Sequence, residues 1–343
     1  MKIGITGATG FVGSHLVRSL FREGHHIIAF GRQVNPPKQL TKFAQYIQWD
    51  LAKEVPDKSF GIDVFIHCAG YVEFWGSFEE MYTVNVEGTN KVLEYAKGAK
   101  HFIYISTASV YGSLREKHTV SEDTPYPKTY SNNYGLTKSL AEKAVIKNVK
   151  KFERITIIRP HVVYGPGDRT IIPRILKSIK GNNMFIIGPG NNNYSITHIG
   201  NICYGTSLIL KRKTKGFSVY NLTDLKPVSI NDIYSQLIQS LHLRIKIIHL
   251  PYFLLTPFIE VVEFLYKLLK VNSSPRITKE IAKQFTQEST LSLNKITLDL
   301  KYSPPFNYRG GFSDLNTWIH STGGIKKYIS SPADCWKGKL KTY

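Results

Sequence analysis

The sequence predicts an α/β fold in which a doubly wound parallel sheet is followed by a smaller mixed C-terminal lobe. From residue 1 to about residue 160, short apolar runs alternate with amphipathic helical patterns. This alternation is typical of βαβ units and a parallel sheet. Beyond that point it loosens into shorter strands and longer helices. We therefore expect residues 1–165 to form the sheet domain and residues 166–343 mostly a second lobe, with some segments returning to the sheet.

Composition and charge exclude several functional classes. Of the 343 residues, 42% are hydrophobic and 20% are charged, as in an ordinary packed protein. The net charge of +20 is spread over small groups and no nucleic-acid signature accompanies it, so we expect no nucleic-acid partner. Cys68, Cys203 and Cys335 lie far apart and the histidines show no ligand spacing. We therefore expect reduced thiols and no metal.

The glycine-rich stretch at residues 6–13 organises the first half of the chain. A short apolar strand, Ile3–Ile5, precedes it and a helical pattern follows, which is the context of a dinucleotide-binding motif. Gly7 permits a tight turn, Gly10 lets the backbone approach a pyrophosphate, and Gly13 lets the helix pack on the strand. The helix N-terminus then offers N–H groups to phosphate. We predict a Rossmann-type sheet, with a ligand-free glycine turn as the alternative.

The next strands place candidate ligand-binding residues at their carboxyl ends. The second strand, His26–Phe30, leads to Arg32, where an NAD-binding fold places an acidic group for the ribose 2′-OH. An arginine there suits a 2′-phosphate, and a solvated loop charge is the alternative. The third strand, at 46–51, brings Asp50 to the adenine end. The fourth, at 63–70, ends in small residues that let the backbone lie against the middle of the cofactor.

A hydroxyl-rich stretch and a tyrosine–lysine pair follow. The fifth strand runs into Ser106–Ser109, and ligands bind at the carboxyl ends of such strands. Tyr134 and Lys138 are four residues apart on a predicted helix and share a face. An ammonium group near a phenol lowers the pKa of the phenol and makes it a usable acid/base. Tyr266 and Lys270 have the same spacing outside the alternating region, and we interpret them as core plus solvated charge.

The remaining pattern predicts the end of the sheet and a mixed lobe. A last alternating strand is expected at 155–160, followed by a glycine-containing segment at 161–168. Short strands are predicted near 184–187, 217–221 and 245–249, and helices near 171–180, 200–210, 229–241 and 253–270. We expect these elements to form a smaller lobe that closes over the strand ends.

Together these motifs resemble the extended short-chain dehydrogenase/reductase family, within the NAD(P)-dependent epimerase/dehydratase superfamily. The resemblance covers nearly the whole chain. It rests on motifs in a fixed order: Thr6–Gly13, His67–Gly70, Asn85 within 84–89, Ser106–Gly112, Tyr134 with Lys138, and Arg159–Asp168. It implies an NAD(P)-dependent oxidoreductase. NADP is the predicted cofactor, and NAD is the alternative.

The resemblance also implies roles for individual residues. Tyr134 matches the general acid/base, Lys138 the residue that binds the nicotinamide ribose and lowers the tyrosine pKa, and Thr107 the catalytic hydroxyl, with Ser106 as the alternative. The expected cofactor-binding residues lie in the glycine turn and at the strand ends: Gly7, Thr9, Gly10, Phe11, Val12, Gly13, Arg32, Asp50, Leu51, Cys68, Ala69, Gly70, Tyr134, Lys138, Pro160 and Val163.

Two substrate groups compete within this resemblance: nucleotide-sugar epimerases and dehydratases, and a 3β-hydroxysteroid dehydrogenase-like and dihydroflavonol reductase-like group. The sugar-nucleotide enzymes usually carry an arginine in the stretch that corresponds to Tyr194–Asn201; here it is absent, and Asn201 replaces a final aspartate. We therefore predict a hydrophobic ketone or secondary alcohol of sterol-, fatty- or polyketide-like type, with a nucleotide sugar as the alternative. A non-catalytic NADP-binding regulator is disfavoured, because it predicts a damaged tyrosine–lysine pair.

The sequence also bears on location. The chain enters its first strand within three residues, which leaves no room for a signal peptide. The apolar stretch at 251–270 is interrupted by Pro257, Glu260, Glu263 and Lys267, which makes it a poor bilayer span. We predict a cytoplasmic protein.

The apolar face of the stretch at 251–270 is either core of the second lobe or a lip over a substrate pocket that touches a membrane. Peripheral membrane contact and a homodimer both stay open.

Overall fold

The computed structural model describes residues 1–57, 59–73, 76–112, 119–269, 275, 278–279, 282, 286–331 and 335–338. Lys270 of the second tyrosine–lysine pair lies outside these residues. The strands are β1 (Lys2–Thr6), β2 (His26–Gly31), β3 (Gln45–Gln48), β4 (Val64–His67), β5 (His101–Ile105), β6 (Arg154–Pro160), β7 (Val163–Tyr164), β8 (Asn183–Ile187), β9 (Asn193–Tyr194), β10 (Thr197–His198), β11 (Gly216–Leu222), β12 (Val228–Ser229) and β13 (Lys246–Leu250).

Helices connect these strands in the alternation that the sequence predicts. They are α1 (Phe11–Arg22), α2 (Phe78–Tyr82), α3 (Gly88–Tyr95), α4 (Asn133–Lys147), α5 (Ile171–Lys177), α6 (Ile199–Lys211), α7 (Ile230–Ser240), α8 (Tyr252–Leu268), α9 (Asn294–Leu300), α10 (Tyr308–Ser321) and α11 (Gly324–Ser330). A π-helical turn, Thr83–Glu87, joins α2 and α3. None of the helices in the described part of the chain is long and apolar enough to cross a membrane.

A seven-stranded parallel sheet forms the centre of the molecule and confirms the predicted fold class. Its order is β11-β6-β5-β4-β1-β2-β3, and every neighbouring pair is parallel. The chain moves outward from β1 to β3 and then crosses to β4 on the other side of β1. This reversal leaves a crevice at the carboxyl ends of β1 and β4, where ligands of such sheets bind.

The seventh strand comes from the segment at 217–221, which we expected among the elements of the second lobe while allowing some segments to return to the sheet. The structure pairs β11 with β6 in the main sheet, from Gly216 opposite Arg154 to Leu222 opposite Pro160. A hydrophobic run indicates a strand but not its partner, because the partner depends on contacts distant in sequence. The division of function at residue 165 stays a prediction.

The second lobe is built from small two-stranded sheets and helices. β8 pairs with β13 in parallel, β7 with β10 in parallel, and β9 with β12 antiparallel. Helices α5, α7 and α10 enclose a separate apolar core with these strands, which includes Met184, Leu237 and Trp318. This core lies outside the sheet and gives the lobe its own packing.

The chain near its C-terminus packs on the glycine-rich turn, a contact that the sequence did not predict. The Trp336 indole N–H donates to the Ala8 carbonyl at 3.1 Å, and the Cys335 thiol lies 3.5 Å from the Thr9 carbonyl oxygen. The Arg18 guanidinium of α1 lies 4.0 Å from the centre of a Trp336 ring and donates to the Cys335 carbonyl. The buried indole therefore stabilises the glycine-rich turn through its hydrogen bond to the Ala8 carbonyl.

Substituting Trp336 with alanine should destabilise the protein strongly. The indole is 1% exposed, so its removal leaves a cavity against α1 and an unpaired Ala8 carbonyl. We expect the free energy of unfolding to fall by about 3–5 kcal/mol, measured by urea denaturation. Leu298, 82% exposed, provides the control, and Leu298→Ala should change little. Equal stability of the two variants would contradict this packing role.

Candidate active site

The turn after β1 requires its three glycines. Gly7 has a φ of +67°, and a Cβ there would lie 2.8 Å from the backbone nitrogen of Ala69. A Cβ on Gly13 would collide with the Gly7 carbonyl oxygen, which also accepts the Gly10 N–H at 2.8 Å. No side chain caps α1 and no acidic residue lies in its first turn. The N–H groups of the first turn of α1 therefore have no side-chain cap and can meet an anion, whereas the Ala8 N–H already donates to the Phe30 carbonyl.

A hydroxyl–imidazole network holds the end of β4 beside this turn. The Thr6 hydroxyl oxygen accepts the N–H groups of Cys68 and Ala69, each at 3.2 Å, and lies 2.7 Å from Nδ1 of His67. Nε2 of His67 lies 3.0 Å from the Thr89 hydroxyl. Burial lowers the pKa of His67 to about 3, so the ring is neutral and serves as a hydrogen-bond relay. Sequence analysis quoted His67 only as part of a motif.

The end of β2 lies next to the glycine turn. A Cβ on Gly31 would approach the Thr9 side chain to 3.2 Å, and the Tyr46 hydroxyl lies 2.7 Å from the carbonyl oxygens of both Gly31 and Gln33. Arg32 follows and is exposed. Residues 31–33 at this strand end are Gly, Arg and Gln, so they carry a guanidinium and no carboxylate. This is the strand end at which the sequence predicts the ribose site.

The other adenine-end residues lie on the same sheet edge. Asp50 follows β3, is half-buried, and accepts the Ala52 N–H at 3.1 Å. Leu51 is buried, and a Cβ on Gly88 of α3 would lie 2.9 Å from its Cβ. Lys2 begins β1 at the opposite edge, where its ammonium group donates to the Phe60 carbonyl at 2.8 Å. Lys2 therefore cannot share a phosphate site with Arg32.

Asn85 connects the loop after β4 to the helix that carries the tyrosine–lysine pair. Its amide oxygen accepts the Tyr71 N–H at 2.7 Å, and its amide nitrogen donates to the Thr137 hydroxyl at 3.1 Å. A Cβ on Gly70 would lie 3.2 Å from the same amide oxygen. The π-helical turn thus directs a buried amide at α4, which fixes the helix relative to Gly70.

Tyr134 and Thr107 come together although 27 residues separate them in sequence. Burial raises the pKa of Tyr134 to about 12, and a hydrogen bond from the Thr107 side chain opposes this rise. Thr107 also accepts the Ser109 N–H at 3.2 Å, which fixes its rotamer. The buried Ser106 hydroxyl has no hydrogen-bond partner among the described residues. The geometry therefore favours Thr107 over Ser106 as the partner of the phenol.

Lys138 lies one turn after Tyr134, and its ammonium group points into the protein. Nζ donates to the Ile105 carbonyl at 2.9 Å and lies 4.2 Å from the centre of the Tyr104 ring. Burial lowers the pKa of Lys138 to about 8, against the opposing effects of Glu142 and Cys68. The expected lowering of the Tyr134 pKa by this lysine is not observed: burial raises that pKa, and the ammonium group is directed at the Ile105 carbonyl.

A buried ion pair anchors the same helix to β6. Glu142 of α4 is 0% exposed and Arg159 is 4% exposed, and Nη2 of Arg159 lies 2.6 Å from Oε2 of Glu142. Nε of Arg159 donates to Oε1 of the same carboxylate at 3.0 Å, so the pair is bidentate. Tyr134, Lys138 and Glu142 are spaced by four residues and therefore share one face of α4.

Tyrosine hydroxyls extend this ion pair to neighbouring elements. The Tyr111 hydroxyl accepts from Arg159 at 2.8 Å and donates to Oδ1 of Asn221, on β11, at 2.7 Å. The Tyr126 hydroxyl donates to Glu142 at 2.6 Å. Tyr111 belongs to the turn that begins after Thr107, so the network joins α4, β6, β11 and the Thr107 turn. Sequence analysis did not identify Glu142, whose only signal was its spacing from Lys138.

The segment after β6 forms the remaining wall of the crevice. Pro160 ends β6, and Val163 begins β7, opposite Thr197. Val162 between them has a φ of +40°, a strained value for a β-branched residue.

Next to Pro160, Nδ1 of His161 lies 2.6 Å from the Ser195 carbonyl oxygen and Nε2 lies 3.2 Å from the Ser289 hydroxyl. The His161 ring stacks on Tyr194, with centroids 5.9 Å apart. Burial lowers the pKa of His161 to about 4, so this wall is neutral and aromatic.

These features fit a dinucleotide. The glycine turn would hold a pyrophosphate, the ends of β2 and β3 an adenosine, and the Tyr134–Lys138 face the nicotinamide ribose. The structural basis for this fit is the uncapped start of α1, which follows a turn so tight that a Cβ at Gly7 or Gly13 would strike the backbone. Burial raises the pKa of the Cys68 thiol, so Cys68 contributes a small neutral surface here.

Comparison with known proteins agrees with this architecture. The model of the NAD dependent epimerase/dehydratase family matches residues 3–223. The 2-alkyl-3-oxoalkanoate reductase of Stenotrophomonas maltophilia is 27% identical over 92% of this chain and 98% of its own length. The bovine (Bos taurus) sterol-4-alpha-carboxylate 3-dehydrogenase, decarboxylating, is 30% identical over 73% of this chain and 72% of its own length. The UDP-glucuronic acid 4-epimerase of Bacillus cereus, solved with NAD, has a TM-score of 0.69 and 26% identity, covering 91% of this chain and 96% of that one.

Breaking the Arg159–Glu142 pair should cost far more than breaking an exposed pair. Arg159→Met leaves a buried carboxylate without its partner, and we expect the free energy of unfolding to fall by about 3–5 kcal/mol. Arg159→Met/Glu142→Gln should lose less than the sum of the single substitutions, as a double-mutant cycle in urea would show. Lys215→Met, from the exposed Lys215–Glu153 pair at 3.0 Å, is the control and should change little. Comparable losses for Arg159→Met and Lys215→Met would refute the anchoring role.

Proposed function

Because the chain belongs to the NAD dependent epimerase/dehydratase family, we propose that it moves a hydride between a nicotinamide cofactor and a hydrophobic ketone or secondary alcohol. The family assignment makes it an NAD(P)-dependent enzyme of the extended short-chain dehydrogenase/reductase type. The substrate class and the residue roles that follow are part of the proposal.

The observation that carries the proposal is the meeting of half-buried Tyr134 and Thr107 with buried Lys138 at one site. The Thr107 side chain acts on the phenol, since it opposes the rise in the Tyr134 pKa, and Lys138 lies one helical turn away on the same face. With a pKa raised to about 12, Tyr134 holds its proton at neutral pH. A protonated phenol can donate to a developing alkoxide, which is the proton transfer that reduction requires.

In the reductive direction, a reduced nicotinamide held at the Tyr134–Lys138 face would supply a hydride to the carbonyl carbon. The carbonyl π electrons move to oxygen, and Tyr134 donates its hydroxyl proton to that oxygen. Thr107 orients the phenol and offers a second hydrogen bond to the carbonyl oxygen. The Lys138 ammonium, with its lowered pKa of about 8, stabilises the phenolate that remains. Solvent then returns the proton to Tyr134, and oxidation is the reverse sequence.

Binding of the cofactor is assigned to the turn and strand ends described above. Gly7, Gly10 and Gly13 shape the pyrophosphate turn, and Thr9, Phe11 and Val12 line it. Asp50 and Leu51 flank the adenosine, Cys68, Ala69 and Gly70 the middle of the cofactor, and Pro160 and Val163 the nicotinamide. Arg32 favours NADP over NAD, because a guanidinium forms charge-assisted hydrogen bonds with a 2′-phosphate.

The wall opposite the nicotinamide supports an apolar substrate. Tyr194, in the stretch where sugar-nucleotide enzymes of the resembled family usually carry arginine, stacks on neutral His161. Asn201 is committed to structure, since its amide donates to Asp224 at 2.6 Å and to the Phe306 carbonyl at 2.9 Å. An aromatic wall suits a sterol-, fatty- or polyketide-like carbonyl better than a diphosphate. We assign substrate binding to the second lobe.

A nucleotide-sugar epimerase or dehydratase is the second candidate. The similarity to the UDP-glucuronic acid 4-epimerase of B. cereus favours it, and the same Tyr134 chemistry serves both candidates. A panel of long-chain β-keto substrates and UDP- or dTDP-sugars distinguishes them. Turnover of a sugar nucleotide without activity on lipophilic ketones would exclude the first candidate.

Tyr134→Phe should lower turnover by roughly 10²-fold or more, because it removes the proton donor and leaves the ring in place. Binding of NADPH, followed by fluorescence, should survive. Tyr266→Phe is the matched control, since Tyr266 is half-buried on α8 and the proposal gives it no catalytic role. Near-normal turnover in Tyr134→Phe would remove this residue from the mechanism.

Arg32→Asp should reverse the cofactor preference. The lost charge-assisted hydrogen bonds predict a shift of roughly 10- to 100-fold in the ratio of Kd values for NADPH and NADH. The exposed Arg244 supplies the control, because Arg244→Asp makes the same charge change in the second lobe. An unchanged ratio in Arg32→Asp, or equal binding of both cofactors by the parent, would show that Arg32 does not select NADP. If Arg32→Asp shifts the Kd ratio only partly, the remaining preference for NADPH would point to Lys38, which is also exposed.

A further inference from the structure

Helix α8 presents an apolar surface to solvent. Its exposed residues with described side chains are all apolar except Glu260. Phe253, Phe258 and Phe264 are 72%, 73% and 63% exposed. The other exposed apolar side chains of this helix and its end are Leu254, Pro257, Val261, Val262, Leu265, Leu268 and Leu269. At 3.6 residues per turn these positions cover about half of the helix circumference without interruption. The alternative that this face is core is therefore wrong for these side chains.

The opposite side of α8 is the one that packs on the protein. Tyr252, Leu255 and Ile259 contact Ile187 of β8 and form a small apolar cluster with Ala282. The two acidic side chains are engaged by one residue: Lys279 pairs with Glu260 through its ammonium group and donates its backbone N–H to Glu263 at 2.9 Å. The helix is thus fixed to the lobe by one narrow face, and its wider face is left to solvent.

Charge indicates what covers the apolar face. The chain carries a net charge of +20, so a second copy would be repelled, whereas an anionic surface would be attracted. Exposed basic residues also lie at the start of the two-stranded sheet that α8 packs on: Lys177, Lys180, Arg244 and Lys246. The N–H of Lys246 donates to the Asn182 carbonyl at 2.8 Å, and Lys180 bridges to Asn183. A chain that combines exposed basic side chains with an apolar helix face has the features of a protein that binds anionic bilayer surfaces.

A groove at the start of α8 continues this apolar surface. It has a volume of about 550 Å³ and is lined by Gly188, Pro189, His249, Leu250, Pro251, Tyr252, Phe253 and Thr286. Phe253 belongs to both the groove and the exposed helix face. Three residues after Thr286, the Ser289 hydroxyl meets His161 in the wall of the candidate active site. The chain that lines the groove at Thr286 therefore continues to a residue that contacts the wall of the candidate active site.

We propose that α8 is an in-plane docking helix that inserts its exposed face into the outer layer of an anionic lipid bilayer. The helix lies parallel to the membrane and does not span it. Phe253, Phe258 and Phe264 enter the acyl boundary while the basic residues near β8 and β13 meet the lipid headgroups. Docking would also bring the groove to the depth in the bilayer at which a lipophilic ketone resides. Only this link to the substrate rests on the proposed function.

Vesicle sedimentation with the full chain tests the docking without substrate or turnover. The parent should pellet with phosphatidylcholine–phosphatidylglycerol vesicles, bind less at high salt, and bind weakly to phosphatidylcholine alone. Phe258→Ser/Phe264→Ser should lower the partition coefficient roughly tenfold or more, because two large apolar side chains no longer insert. Both positions are exposed, so the fold should be retained, as the unfolding midpoint in urea and NADPH binding would verify.

Leu225→Ser/Leu298→Ser is the matched control, because these side chains are 59% and 82% exposed and lie outside α8. It should bind vesicles like the parent. Absence of parental binding to anionic vesicles at low salt, or equal binding by Phe258→Ser/Phe264→Ser, would overturn the proposal. Analytical ultracentrifugation tests whether a second copy of the chain covers this face instead. A parental dimer that Phe258→Ser/Phe264→Ser converts to a monomer would assign the face to a second copy and overturn the proposal. Because no assay uses catalysis, these outcomes are independent of the proposed function.

Discussion

The buried ion pair between Arg159 and Glu142 is the constraint on which the candidate site depends. Two charges taken out of water are costly unless their hydrogen bonds are satisfied, and here a bidentate contact and two tyrosine hydroxyls satisfy them. The pair joins β6 to the middle of α4, so α4 cannot rotate without exposing a charge to apolar surroundings. That restriction fixes the direction of Tyr134 and Lys138, which precede Glu142 on the same face.

Burial, rather than pairwise charge, sets the electrostatics of this site. The low-dielectric surroundings raise the pKa of Tyr134 to about 12 and lower that of Lys138 to about 8, since both shifts favour the neutral form. The same cause keeps His67 and His161 uncharged, so both rings serve as hydrogen-bond relays. The wall formed by His161 and Tyr194 is therefore uncharged and aromatic.

The candidate cofactor crevice and the exposed apolar helix face lie in different parts of the molecule. The cofactor crevice lies at the carboxyl edge of the parallel sheet and is supported from behind by Trp336. The second lobe carries α8, whose acidic side chains are engaged by Lys279 and whose apolar side chains face solvent. A folded domain usually buries such a face, so its exposure next to a +20 chain indicates a surface used for binding.

The sequence by itself determined the α/β fold, the glycine turn, the position of Arg32 and the shared helix face of Tyr134 and Lys138. Each of these follows from spacing within a single βα unit, where period and turn chemistry act locally. Only the tertiary structure decided that residues 216–222 join the main sheet, that Glu142 pairs with Arg159, and that Trp336 supports the glycine turn. Burial is likewise a tertiary property: it reversed the expected direction of the Tyr134 pKa and showed that the apolar face of α8 is exposed. Local patterns specify elements, whereas partners, burial and dielectric arise from residues brought together across the chain.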